Sequence, residues 1–172
     1  ITELLMTPGF DKLGEPIVIA GQTITESLKE GDVIQMRDIF YDFDKYDIRD
    51  DASPDLDRLV GLMQQFASMT IELSSHTDSR GTDKYNDELS SNRAKSAKEY
   101  LIRKGIAADR INAIGYGENR LQNNCKDGVD CNEFEHQSNR RTEVLITAFD
   151  QAEYIKVYYQ NNKPTKVDPK RN

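Results

Sequence analysis

The chain has 172 residues, 37% hydrophobic and 31% charged, which fits one globular domain with polar extensions; no apolar run nears the roughly 20 residues of a membrane-spanning helix. Its net charge of -7 disfavours nucleic acid as a partner, because such binding rests on clustered Lys and Arg that neutralise phosphates. Ile1 is not an initiator methionine, so a processed or excised piece is expected, and its beginning does not argue for the cytosol.

Residues 1 to about 32 are punctuated by Pro8-Gly9, Gly14, Pro16, Gly21 and Gly31. They read as a linker or the end of a preceding domain, with candidate short strands at 17–20 and 23–25. Residues 34–43 predict a strand, since Ile39, Tyr41 and Phe43 alternate with Phe40, Asp42 and Asp44. Ser53-Pro54 is a helix start, a capping hydroxyl followed by Pro at the first helical position. Leu56, Leu59, Val60, Met63, Phe66 and Ala67 then recur at helical spacing. Residues 70–75 predict a second strand with Ile71 and Leu73 on one face. A loop at 76–84 carries Gly81, a natural site for positive φ.

A second helix is expected from about 86 to 104, stopping at Gly105. Residues 110–116 predict a third strand and 121–138 a polar loop. Along 141–149, Thr142, Val144, Ile146 and Ala148 alternate against Glu143, Leu145 and Thr147, a fourth strand. The order implies an α/β (α+β) two-layer sandwich, a βαβαβ-type core with a mixed sheet and two main helices on one face. The domain is expected at 33–150. Residues 151–172 form an extension, with a candidate strand at 154–159 and disorder expected over 161–172.

Residues four apart on a helix drift by only about 40°, so Leu89, Arg93 and Ala97 share a face that Leu101 continues. Arg93 thus sits in an inward-facing stripe. A buried unpaired guanidinium is costly, and spacing alone favours an internal salt bridge or a packed stem with its head in water. Asp78 reads by itself as a turn residue whose carboxylate bonds nearby amides. Asn86 and Ser90 read as helix caps, His76 as a satisfied histidine at a strand end, and Arg140-Arg141 as two solvated charges beginning a strand.

Cys125 and Cys131 lie six apart. Zinc would need two more ligands, and with His136 near but His76 far in sequence, a disulfide is the favoured alternative. Closing that loop would contribute about 2 kcal/mol and points to an oxidising compartment. Calcium at Asp42, Asp44, Asp47, Asp50 and Asp51 lacks the central glycine and terminal glutamate of an EF-hand loop. The sequence holds no Gly-x-Ser-x-Gly elbow and no phosphate-cradling glycine loop.

Five motifs stand in a familiar order: Thr77-Asp78-x-x-Gly81, Asn86-x-x-Leu89-Ser90-x-x-Arg93-Ala94, Gly105-Ile106, Gly115-Tyr116-Gly117-Glu118 and Asn139-Arg140-Arg141. Together they resemble the OmpA-like peptidoglycan-binding domain shared by the OmpA, Pal and MotB proteins. The upstream run Phe40-Tyr41-Asp42-Phe43-Asp44-Lys45-Tyr46-Asp47-Ile48-Arg49 resembles the opening strand of the Pal lipoprotein branch. The resemblance spans about residues 33–149.

It implies a binding module without enzymatic activity or cofactor, holding peptidoglycan non-covalently by the diaminopimelate of the stem peptide. By resemblance, Asp78 accepts the ligand's ammonium and Arg93 pairs with its carboxylate. Phe43 and Asp44 line the pocket, Thr77, Asn86 and Leu89 add polar and backbone contacts, and Arg140 closes the far side. The loop from Asn123-Asn124-Cys125 to Cys131, followed by His136-Gln137-x-Asn139-Arg140-Arg141, resembles versions from Bacteroidota envelope proteins, where a disulfide fits the periplasm. The implied role is to anchor an outer-membrane protein or complex, such as a secretion-system lipoprotein, to the cell wall. The alternative is a protein-interaction module with the same fold and a repurposed pocket, for which the unmatched flanks and Tyr158-Tyr159 on an exposed edge are the support.

Overall fold

Burial with period two along the last strand organises the sheet. The computed structural model describes residues 18–19, 22–23, 28–36, 48 and 54–150. In chain order these form β1 (Val18–Ile19), β2 (Gln22–Thr23), β3 (Val33–Met36), α1 (Pro54–Gln65), β4 (Thr70–His76), α2 (Asp83–Arg103), a single 3-10 turn (Ala108–Arg110), β5 (Ile111–Gly115), α3 (Glu133–Asn139) and β6 (Arg141–Ala148). β1 and β2 make a small antiparallel ribbon, while the main sheet runs β3-β6-β4-β5. β4 and β5 are parallel, and β6 is antiparallel to both β3 and β4. The expected mixed sheet is therefore present, with α1 and α2 as its main helices.

The core lies between one sheet face and these helices. Ile34 and Met36, Ile71 and Leu73, Ile111, and Val144 and Ile146 meet Leu56, Leu59, Met63, Ala97, Tyr100 and Leu101, all buried. Burying each large apolar side chain contributes about 1.5–3 kcal/mol. The parity read along 141–149 holds, since Thr142, Val144 and Ile146 are buried while Glu143 and Leu145 are half-buried. Leu28 also belongs to this core. Just after it, Gly31 N donates to Ile146 O at 2.8 Å and Ile146 N to Asp32 O at 2.9 Å.

Several boundaries differ from expectation. β3 covers only the start of the expected 34–43 strand, and its alternating residues Ile39 to Asp44 fall outside the described residues, as do 151–172. α2 begins three residues earlier than Asn86, because Thr82 is its cap: Tyr85 N donates to Thr82 Oγ1 at 3.2 Å. Its end is as read. Gly105 takes φ 97°, and Ile106 N returns to Leu101 O at 3.1 Å. The third strand starts at Ile111, with Arg110 spent in the preceding turn. Its guanidinium donates to Met63 O, Phe66 O and Met69 O at 2.8, 2.7 and 3.0 Å, tying off the end of α1. The supposed polar loop at 121–138 contains α3. Its cap is a reciprocal box: Glu135 N donates to Asn132 Oδ1 at 3.0 Å, and Asn132 N to Glu135 Oε2 at 2.8 Å.

Candidate functional site

The close approach of α2 to β5 positions everything else. A Cβ on Gly115 would fall 2.2 Å from Ser91 N, and one on Gly117, at φ +51°, would fall 2.4 Å from Asp87 Oδ1. Only glycine permits this approach, and Ser90 Oγ accepts from Gly117 N at 2.9 Å across it. The helix consequently turns its small residues to the sheet. Its buried stripe is Asn86, Ser90, Ala94, Ala97 and Leu101. The expected stripe through Leu89 and Arg93 is corrected by this: both are half-buried at its border, about one and two turns beyond Asn86.

The segment between β4 and α2 is held along its length. Thr77 N donates to Gly117 O at 2.9 Å and Ser79 Oγ to Cys125 O at 2.6 Å. Gly81 takes φ 110°, the conformation its position was read to need. Asn86 is no cap. It is buried within α2, and its Nδ2 reaches Asp78 O and Arg80 O, both at 3.3 Å, and Glu118 Oε2 at 2.6 Å. Ser90 likewise lies inside the helix rather than at its start.

Asp78 is the hub. Its side chain is 8% exposed. Arg80 N donates to Oδ1 at 2.9 Å, the turn contact expected of an aspartate here. The Arg80 guanidinium adds Nε to Oδ1 at 3.3 Å and Nη2 to Oδ2 at 2.8 Å. Arg140 supplies Nη1 to Oδ2 at 2.5 Å. Burial pushes the Asp78 carboxyl up, but the hydrogen bonds from Arg80 and Arg140 outweigh it, and its pKa is lowered to about 2.

Both arginines reach a second acid. Arg80 Nη1 donates to Glu133 Oε2 at 3.0 Å, and Arg140 Nη2 donates to Glu133 Oε1 and to Gln137 Oε1. Asp78, Arg80, Glu133 and Arg140 thus close a ring of alternating charge. Arg140 and Arg141 are not the two solvated charges expected. Arg141 Nε donates to Glu143 Oε1 at 2.7 Å, with its side chain only 6% exposed.

Sequence reasoning missed Arg80 and Glu133. Nothing in a single sequence distinguishes Arg80 from an ordinary loop arginine. Glu133 had a findable signal, the Asn132-x-x-Glu135 capping pattern that marks it as the first residue of a helix. Cys125 and Cys131 form a disulfide just before that cap, the favoured one of the two alternatives read from their spacing. Asp83, Glu118 and Asp127 bring carboxylates within 4.8 Å of one another, an acidic grouping that exposed residues often form without an ion.

Of the expected site, the structure joins Asp78, Asn86 and Arg140 directly. Thr77 adjoins them, its buried Oγ1 without a hydrogen-bond partner among the described residues. Phe43 and Asp44 lie outside those residues. His76 ends β4 as read but is not satisfied among the described residues, where neither ring nitrogen has a hydrogen bond. Its ring stacks on Tyr116 at 5.5 Å, with Glu143 Oε2 3.6 Å from Nε2. Burial first, then Arg141 and Arg120, lower its pKa to about 4 against the opposing pull of Glu143.

A family model described as the OmpA family matches residues 40–135, more than half of the chain. The chain is 46% identical over 110 residues to a photosystem I chlorophyll a apoprotein from Gloeobacter violaceus, covering 63% of this chain and 12% of that protein. It is 38% identical over 89 residues to the peptidoglycan-associated lipoprotein of Mesorhizobium japonicum, covering 52% of this chain and 53% of that one. The chain therefore spans about half, or much less, of the length of these relatives. Among solved structures, the cell wall anchor of the type VI secretion system from Pseudomonas aeruginosa shares the fold. Its TM-score is 0.54 at 24% identity, over 67% of this chain and 80% of that one.

Proposed function

Because the chain belongs to the OmpA family, we propose that it binds peptidoglycan non-covalently through the diaminopimelate of the stem peptide. In this reading it tethers a larger envelope protein or complex to the cell wall from the periplasm. The observation that carries it is the Asp78 hub: a buried carboxylate at the mouth of the β4–α2 segment, beside the helix that bears Arg93. Asp78 receives the ligand's ammonium. Of the four hydrogen bonds on its oxygens, the 3.3 Å contact from Arg80 Nε is the longest and is the one the ammonium replaces. Arg93 pairs with the adjacent carboxylate, for which a planar guanidinium is the better match than an ammonium. The unpartnered Thr77 Oγ1 supplies a further hydrogen bond, and Asn86 holds the Asp78 carbonyl in place. Leu89 and Arg140 complete the walls among the described residues.

The names of the relatives support the reading, one a peptidoglycan-associated lipoprotein and one a cell wall anchor. The family's members are binding and anchoring modules rather than enzymes. No helix among the described residues is long and apolar enough to cross a membrane. A single small zwitterionic contact gives modest affinity.

The test is co-sedimentation with purified sacculi. The unmutated protein is expected in the pellet, and Asp78→Ala and Arg93→Ala in the supernatant with unchanged circular dichroism. Sedimentation of either variant to the normal extent rejects the site. Titration with stem peptide carrying diaminopimelate or lysine at the third position tests the ligand. The lysine peptide lacks the carboxylate assigned to Arg93 and is expected to bind more weakly.

A further inference from the structure

Glu133 holds a position that its surroundings do not require it to hold. Its side chain is 67% exposed, yet its two carboxylate oxygens engage two different guanidiniums, Arg80 and Arg140. Those guanidiniums are fixed from below by Asp78, whose side chain is 8% exposed. The ring is therefore asymmetric. Parting Asp78 from its arginines would strand a buried carboxylate, which is costly. Parting Glu133 from them returns an exposed carboxylate to water, and exposed ion pairs contribute little to stability. The outward side of the Arg80–Arg140 pair is thus a ready carboxylate fork with a weakly held occupant.

We propose that Arg80 and Arg140 form a second carboxylate subsite beside Asp78, and that Glu133 is its resident occupant, displaced when a ligand brings a second carboxylate of its own. The inference rests on the peptide-binding reading above and adds to it a separate group on the ligand, distinct from the carboxylate assigned to Arg93. α3 carries Glu133 to the fork. It is seven residues long, capped by Asn132 and preceded directly by the Cys125–Cys131 disulfide, so Glu133 is presented by a short braced element rather than a free loop. Hydrogen bonds from Arg140 and Arg80 hold the Glu133 carboxyl below its ordinary range, which favours the charged form that occupies the fork. Displacement needs no rearrangement of the sheet or of α2. The occupant rotates into solvent while Arg80 and Arg140 remain on Asp78. A resident competitor lowers the apparent affinity by the fraction of time the fork is filled. Removing the competitor should therefore tighten binding, and only for ligands that use the fork.

The experiment is calorimetric titration of the full chain with two tripeptides, alanyl-γ-glutamyl-diaminopimelate and the same peptide with the glutamate α-carboxylate amidated. The proteins are the unmutated chain, Glu133→Gln and Asp130→Asn. Asp130→Asn changes net charge equally from an exposed position not placed in the ring. Glu133→Gln is expected to bind the free-carboxylate peptide about fivefold more tightly and the amidated peptide unchanged, with Asp130→Asn unchanged for both. The proposal is overturned if Glu133→Gln binds the free-carboxylate peptide no more tightly than the unmutated chain. It is also overturned if both peptides tighten alike, or if Asp130→Asn tightens binding as much. If the unmutated chain and Glu133→Gln bind neither peptide, the peptide-binding reading fails and takes this proposal with it. Binding by the unmutated chain without the Glu133 effect removes the second subsite alone.

Discussion

Arg140 reaches across 62 positions of sequence to set its Nη1 2.5 Å from Asp78 Oδ2. The contact joins the residue between α3 and β6 to the segment between β4 and α2. It lets a carboxylate that burial would push towards neutrality stay ionised. Arg140→Gln is expected to raise the Asp78 pKa above its present value of about 2 and to destabilise the fold by about 1–2 kcal/mol. Carboxyl-carbon NMR titration and urea denaturation measure the two effects. An unmoved Asp78 titration would show that Arg80 alone suffices.

The glycine at the end of β5 is a matter of space. A Cβ at Gly115 meets the backbone nitrogen of Ser91 at 2.2 Å, and backbone cannot step aside as a flexible side chain can. Gly115→Ala is expected to cost about 3 kcal/mol, at the upper end for an overpacked core. Gly128→Ala, with nothing within 4 Å of its Cβ and φ at 79°, meets only backbone strain and is expected to cost about 1 kcal/mol. Equal losses for the two would mean that the α2–β5 approach is less tight than it stands here.

His76 and Asp78 assign acid sensitivity to two separate pH windows. The His76 pKa falls from 6.5 to about 4, so above pH 6.5 the imidazole is neutral in both states and contributes no pH dependence. Below pH 6.5 the unfolded chain takes up a proton that the fold refuses, and stability falls by up to about 3 kcal/mol by pH 4. Asp78 acts lower. Its depressed pKa contributes stability above about pH 3.8, lost as the pH drops through about 2. His76→Phe keeps a ring against Tyr116 and leaves no orphan nitrogens. It is expected to match or exceed the unmutated protein at pH 7 and to lose the slope between pH 6.5 and 4.5. A slope that persists in His76→Phe would assign it to other groups.

The disulfide closes a loop of six and braces the start of α3. Replacing both cysteines by serine is expected to cost about 2 kcal/mol on chain-entropy grounds. The same change should speed amide exchange across α3 while leaving α2 as protected as before. Uniformly faster exchange would instead indicate a general loosening, with no special tie between the bridge and this helix.

Much of the scaffold is readable because its elements are long and periodic. The α1 stripe from Leu56 to Met63, the alternation along β6 and the glycines at 81 and 105 each follow from local chemistry and appear where that chemistry puts them, whereas Ala67, expected to extend the stripe, lies past the end of the helix and is exposed. What escaped was set by contacts distant in sequence. The helix face of α2 could not be chosen from its own residues, since Ser90 and Ala94 turn inward only because Gly115 and Gly117 admit them. α3 was hidden because seven residues hold too few apolar positions to show a period, although its capping pair was in view. Asp78 was legible as a candidate, but its partners were not. Arg80 is two residues away and Glu133, which meets Arg80, is 53 away from that arginine, and no local pattern connects them.

In the main sheet β6 lies between β3 and β4, although it is the last of the described strands in chain order. The sheet therefore has a gap at its centre until that segment arrives, and Arg140 arrives with it. A chain interrupted before residue 140 has the Asp78 segment and α2 but neither the strand that supports them nor the guanidinium that completes the ring. Synthesis runs from the N-terminus, so the centre of the sheet and the ring around Asp78 are completed together and last.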